Sequence, residues 1–148
     1  MAEIGFYHLL TSPLDRALPR LLERALAQGH RIVVRTGSAE RTLYLDTLLW
    51  RYDEASFLPH GTARDGNQEA QPVFLTERAE NPNGASLLVL VDGIEADDWG
   101  QFARGADFFD GSDEDAVALA RQRWRRAREA GHTLAYWRQT GAGWERQS

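Results

Sequence analysis

Residues 86–93 read SLLVLVDG, and this stretch decides the fold of the chain. Residues 86–91 are apolar on both faces of a strand, whereas a half-buried strand alternates apolar and polar positions. A continuous apolar run of this length suits a parallel sheet that is covered by helices on both sides. Asp92 and Gly93 then supply a turn. The stretch therefore predicts a central strand of a helix-covered sheet.

Strands and helices alternate on the N-terminal side of this run. Residues 4–10 and 31–36 are rich in branched and ring side chains and predict two strands, each followed by apolar positions at helical spacing. Ser38 is the expected N-cap of the second helix. Residues 51–71 lose this periodicity and predict a long surface connection. Residues 72–76 predict the next strand.

The C-terminal side continues the alternation. Residues 106–109 predict at most a short strand, and Ser112 is the expected cap of a long helix that Gly131 ends. Residues 133–138 predict a closing strand. The tail, residues 139–148, either frays or adds an edge strand.

Together these elements predict one three-layer, Rossmann-like α/β domain over residues 1–148, with a mostly parallel sheet and helices on both faces. Seventeen basic residues, all arginine, against 22 acidic residues give a net charge of -5. This charge disfavours general nucleic-acid binding. No apolar run is long enough for a membrane helix, and the start lacks the features of a signal peptide, so we expect a cytoplasmic protein.

A nucleotide site is the obvious proposal for such a fold, but its motif is missing. The first strand-to-helix turn contains no glycine, and Gly37 is the only glycine of the second. The chain has no cysteine, and its four histidines do not have metal-ligand spacing. His60 is the one histidine for which we entertain a role. We expect no catalytic residue, metal or cofactor, and keep a small α/β enzyme acting on a nucleotide or phosphorylated metabolite as the alternative.

The stretch 120–131, ARQRWRRAREAG, is the strongest local anomaly, with five arginines in eight residues of an acidic protein. At about 100° per residue Arg121, Arg125 and Arg128 share one stripe of the helix. Val117 and Trp124 lie at its border. The opposite, core-facing side is predicted to carry Ala116, Leu119, Ala120, Ala127 and Ala130. This stripe suits a ligand with a carboxylate beside an apolar group, or it is an ordinary solvated helix face.

A second anomaly is the group of large apolar residues at the start of the long connection. Trp50 ends the second predicted helix, and Phe57 and Leu58 follow a short polar segment. They either form a partner-binding patch or cover the core beneath the connection.

Several stretches in fixed order carry a family resemblance. They are FYHL at 6–9, LDTLLW at 45–50, SFLPH at 56–60, QPVFLT at 71–76, NGASLLVLVDG at 83–93 and ARQRWRRAREAGHTL at 120–134. In this set the chain resembles the chi subunit family of bacterial DNA polymerase III. The resemblance implies a Rossmann-like domain that binds no nucleotide and catalyses nothing. It also implies an adaptor that links the clamp loader, through the psi subunit, to the acidic C-terminal tail of single-stranded DNA-binding protein.

The resemblance assigns tail binding to Arg121, Trp124 and Arg125. Val117 stands where some family members have a further basic residue, and Arg128 is the candidate to compensate for that lost charge.

The surface that family members present to psi, or in some cases to a helicase, corresponds to Trp50 and Phe57, with Leu58 and Pro59 adjoining. We expect this surface to be separate from the arginine stripe.

Overall fold

The computed structural model describes residues 2–52 and 58–147. Within them, strands and helices alternate along the chain. The strands are β1 (Glu3–Leu9), β2 (Ile32–Arg35), β3 (His60–Thr62), β4 (Val73–Thr76), β5 (Leu87–Leu90), β6 (Arg104–Asp110), β7 (Thr133–Thr140) and β8 (Gly143–Arg146). The α-helices are α1 (Leu14–Ala27), α2 (Ala39–Arg51) and α3 (Glu114–Glu129). In these two described ranges no helix is both long and apolar enough to span a bilayer.

All eight strands form one sheet in the order β3-β4-β2-β5-β6-β1-β7-β8. Every neighbouring pair is parallel except β7 and β8. β5 lies between β2 and β6, and all four of its residues are buried. The prediction that the apolar run at 86–91 forms a central parallel strand is confirmed.

The helices cover both faces of the sheet. α1 and α2 pack on the face that carries Val34, Leu75 and Phe108. α3 packs on the other face, against Phe6 and Phe109. Successive residues of a strand point to opposite faces, which is why Phe108 and Phe109 belong to different halves of the core. The predicted three-layer α/β architecture is therefore confirmed.

Two predicted elements need correction. β6 runs over seven residues, Arg104–Asp110, because it pairs with β1 along its full length and with β5 on its other edge. The predicted loop at 51–71 contains β3, which pairs with β4, followed by two short 3-10 turns. The tail supplies an edge strand, since β8 pairs antiparallel with β7.

The N-cap of α3 is Asp113, one residue later than predicted. Its carboxylate accepts hydrogen bonds from the N–H groups of Asp115 (2.9 Å) and Ala116 (3.3 Å). Ser112 instead donates its hydroxyl to the Asp110 carboxylate at 2.6 Å. A carboxylate at this position also interacts favourably with the positive end of the helix dipole.

Candidate functional site

The five arginines of α3 fall into two groups. Arg123 and Arg126 form ion pairs with Asp107 and Glu95. The other three, Arg121, Arg125 and Arg128, are exposed on the stripe that the helical wheel predicts. In the part of the chain that the structure describes, the side chains of these three form no hydrogen bond or ion pair. Their guanidinium groups are free to bind an anionic ligand.

Arg123 has a structural role that the sequence does not reveal. Its side chain is 6% exposed, and Nε and Nη2 donate to the Asp107 carboxylate at 2.7 and 3.0 Å. Burial raises the pKa of the Asp107 carboxyl, while the hydrogen bonds and charge of Arg123 act in the opposite direction. This bidentate pair ties α3 to β6 beneath the exposed stripe.

The buried face of α3 is rotated from the predicted one. Ala120, Arg123 and Ala127 are its buried residues. Leu119, predicted to face the core, is 51% exposed, and Ala130 is exposed as well. On the helical wheel Ala127 lies between Ala120 and Arg123, so the buried face is centred near Ala127. Leu119 therefore falls on the flank of this face that lies away from Trp124.

Trp124 gives the stripe an apolar border, as its position on the wheel predicts. Its indole is half-buried and packs edge-on against the rings of Phe6 (centroids 5.2 Å apart) and Tyr136 (5.9 Å). Val117 packs partly buried against the same half of the core. The structure therefore brings Arg121, Trp124 and Val117 together along one side of α3.

Two residues of neighbouring strands extend this border, and sequence reasoning missed both. The Nδ1 atom of His8 lies 2.5 Å from the Tyr136 hydroxyl oxygen, and the His8 ring packs on Phe109. Burial lowers the pKa of His8, and the charges of Arg138 and Arg121 lower it further. Only the pairing of β1 with β7 brings these residues together, so no local sequence signal could have found them.

Trp50 forms a second exposed feature at the end of α2. Its side chain is 58% exposed, yet its indole packs on the ring of His60 with centroids 4.3 Å apart. His60 is buried. Its Nδ1 lies 2.6 Å from the Leu58 carbonyl oxygen, and its Nε2 lies 3.2 Å from a carboxylate oxygen of Asp46. The role that the sequence left open for His60 is thus to support an exposed tryptophan.

The remaining residues predicted for this second surface differ in how exposed the structure shows them to be. Leu58 is only 3% exposed and belongs to the core beneath α1 and α2, so the prediction that it adjoins an exposed surface is wrong. Its side chain belongs to the same buried cluster as Leu45 and Leu49 of α2. Pro59 is half-buried. Phe57 lies outside the described residues.

The C-terminal edge of the sheet is where this architecture usually binds nucleotides. Here it forms a cleft of about 720 Å³ whose charged lining is mostly aspartate: Asp15, Asp92, Asp110, Asp113 and Asp115. The Asp92 carboxylate accepts a hydrogen bond from the Gly37 N–H at 3.0 Å and pairs with Arg41. A carboxylate therefore occupies a backbone donor that a phosphate would need. Across residues 2–52 and 58–147, no three His, Asp or Glu side chains are placed to hold a metal ion.

Fold and site together define a class of protein: a doubly wound α/β domain with carboxylates at the usual nucleotide edge and free arginines on an outer helix. Comparison with known proteins then gives the family. The chain belongs to the family described as DNA polymerase III chi subunit, HolC, whose model matches residues 1–135. This finding confirms the resemblance seen in the sequence.

A curated relative agrees with this assignment. The chain is 31% identical over 91 residues to the probable DNA polymerase III subunit chi of Rickettsia prowazekii (strain Madrid E). The aligned region covers 62% of this chain and 55% of the relative. The chain thus spans about half the length of the curated relative that it matches.

Proposed function

We propose that the protein is a non-catalytic adaptor of DNA polymerase III that works in the cytoplasm. It links the clamp loader to the acidic C-terminal tail of single-stranded DNA-binding protein. The observation that carries this proposal is the set of three unpaired arginines, Arg121, Arg125 and Arg128, beside the half-buried indole of Trp124.

The chemistry of this surface fits an acidic peptide that ends in an apolar residue and a free carboxylate. The apolar side chain would pack against Val117 and Trp124, and the arginines would hold the carboxylate. Such charge-assisted hydrogen bonds contribute about 1.5 to 3 kcal/mol each when shielded and much less when exposed. Because the three arginines are exposed, the affinity is moderate and falls as salt is added.

The exposure of Trp50 supports a second binding surface, for a psi-like subunit or a helicase. A large indole that is exposed but held by a buried ring needs little ordering when a partner covers it. Trp50 belongs to α2, on the face of the sheet opposite α3. A partner bound there would leave the arginine stripe open, as a linking protein requires.

The alternative, an enzyme acting on a nucleotide or phosphorylated metabolite, is opposed by the aspartates that line the C-terminal cleft. Phosphate groups would be repelled there, since like charges at short range disfavour binding. The same negative net charge argues that the protein meets DNA only through its partners.

Calorimetric titration with an acidic peptide that has a free, apolar C-terminal residue tests the proposal. Arg121→Ala and Trp124→Ala should each weaken binding by about 5- to 150-fold, since truncating a central contact costs about 1 to 3 kcal/mol. Arg24 is exposed on α1, which packs on the other face of the sheet. Arg24→Ala also removes one positive charge and is therefore the matched control. If neither α3 variant differs from this control, the proposed tail site is wrong.

A further inference from the structure

We propose that the peptide site continues from α3 across strands β1 and β7, where Arg138, Tyr136 and His8 bind the acidic residues that precede the end of the tail. This inference rests on the proposed function, because it extends the same site. It assigns binding roles to residues outside α3.

The strand pairing places these residues on one surface. β1 and β7 run parallel, with Phe6 opposite Tyr136 and His8 opposite Arg138. Residues 134, 136 and 138 share one face of β7, and Tyr136 reaches Trp124 of α3 on that face. Tyr136 is only half-buried and Arg138 is exposed. A groove floor of aromatic rings therefore runs from α3 toward the outer strand of the sheet.

Two arginines from different elements converge on this floor. Arg121 of α3 and Arg138 of β7 both act electrostatically on His8, and both act on the Tyr136 phenol. The side chain of neither arginine forms a hydrogen bond or an ion pair with any described residue. A peptide carboxylate near Tyr136 would therefore meet positive charge from both sides.

Two acidic groups also face this region. Asp110, at the end of β6, acts on His8 but accepts hydrogen bonds from Ser112. Glu145 of β8 lies opposite Arg138 in the strand ladder and forms no ion pair with it. Glu145 is a negative charge on the strand next to Arg138 that would oppose an acidic ligand. Removal of the Glu145 charge is therefore expected to strengthen binding, whereas removal of the Arg138 charge weakens it.

The occupant is an extended acidic segment, because the groove combines aromatic floor with cationic sides. An extended chain advances about 3.3 Å per residue, so a few residues suffice to pass from α3 over β1 to β7. When the apolar end of the peptide packs on Trp124, the carboxylates that precede it lie near Arg138. The competing path would keep these carboxylates along α3, over Arg125 and Arg128.

The test uses two fluorescent probes with free C-termini. The long probe has five aspartates followed by leucine and phenylalanine. In the short probe a single glycine stands in place of the five aspartates. Arg138→Ala should weaken the long probe about fivefold and leave the short probe unchanged. Glu145→Gln should strengthen the long probe about twofold. Arg138→Gln, which keeps most of the side chain, should act like Arg138→Ala, and Arg24→Ala is the charge-matched control.

The outcomes separate the inference from the proposed function. If Arg138→Ala and Glu145→Gln both match the Arg24→Ala control while Arg121→Ala weakens the long probe, the peptide follows α3 and the inference is overturned. If Arg121→Ala and Trp124→Ala also leave the long probe unchanged, the proposed tail site itself fails. Weakening of the long probe by Arg138→Ala together with strengthening by Glu145→Gln supports the extended groove.

Discussion

His8 is the residue at which the charges of the proposed groove meet. Its ring contacts the Tyr136 hydroxyl, and Arg121, Arg138 and Asp110 all act on it. Burial and the two arginines hold the pKa of His8 below its ordinary value of about 6.5. The imidazole is therefore mostly neutral at pH 7.

This shift predicts how peptide binding depends on pH. A bound carboxylate beside His8 raises its pKa, so binding takes up a proton and affinity rises as the pH falls through the pKa of His8 in the complex. The gain levels off below the pKa of His8 in the free protein, because the imidazole is then protonated with or without the peptide. Calorimetry of the aspartate-rich probe from pH 7.5 to 5 measures the effect. His8→Gln should flatten the rise; an equal rise in that variant would contradict the assignment.

Trp50 is an exposed residue whose side chain is held in place by a buried histidine. The indole is exposed, while the ring beneath it is fixed on both nitrogens by oxygen atoms of Leu58 and Asp46. Burial raises the pKa of the Asp46 carboxyl, and the neighbouring His60 and a hydrogen bond from Trp50 oppose that rise. Such an anchor keeps one large side chain in place for a partner.

At the scale of elements, α3 carries both the site and the contact that holds the site in place. Arg121 and Arg125 point outward, while Arg123 ties the same helix to β6 through Asp107. A buried ion pair is costly to break, because the remaining charge has no partner and no water.

We therefore predict that Arg123→Ala destabilises the protein by about 3 to 5 kcal/mol, since it leaves the Asp107 carboxylate buried and unpaired. Urea unfolding measures this difference. The double variant Arg123→Met with Asp107→Leu should recover most of the loss, because apolar side chains of similar size replace both charges. A cost below about 1 kcal/mol for Arg123→Ala would show that the pair does not hold α3 in place.

The sequence predicts these elements well where the pattern is local. The apolar run at 86–91 and the stripe of Arg121, Arg125 and Arg128 follow from periodicity alone. The wheel also places Arg123 toward the core, but its partner does not follow from periodicity, because the Asp107 carboxylate belongs to another element, β6. The strand at 60–62 was missed for a similar reason: three residues with a glycine become a strand only through pairing with β4.

At the scale of the whole molecule, the sheet separates two surfaces. α2 with Trp50 lies on one face, and α3 with its arginines lies on the other. β3, which carries His60, is at one edge of the sheet, whereas β7 is next to the opposite edge strand. Sites this far apart with no shared contacts behave independently.

This separation predicts that Trp50→Ala abolishes binding to a psi-like or helicase partner and leaves tail-peptide affinity nearly unchanged. Burial of the exposed indole contributes roughly 1.5 to 3 kcal/mol to such a complex before ordering costs. Both affinities and the urea midpoint are measured on the same variant. A large fall in the midpoint with parallel loss of both activities would mean that Trp50 is a core residue and would sink the two-surface account.

The most direct test of the central claim is chemical-shift mapping of the ¹⁵N-labelled protein during titration with the long acidic probe. The account predicts changes at Val117, Arg121 and the Trp124 indole, and none at the Trp50 indole. Changes confined to the C-terminal cleft near Asp92 and Leu119, or no changes with a probe in excess, would contradict it.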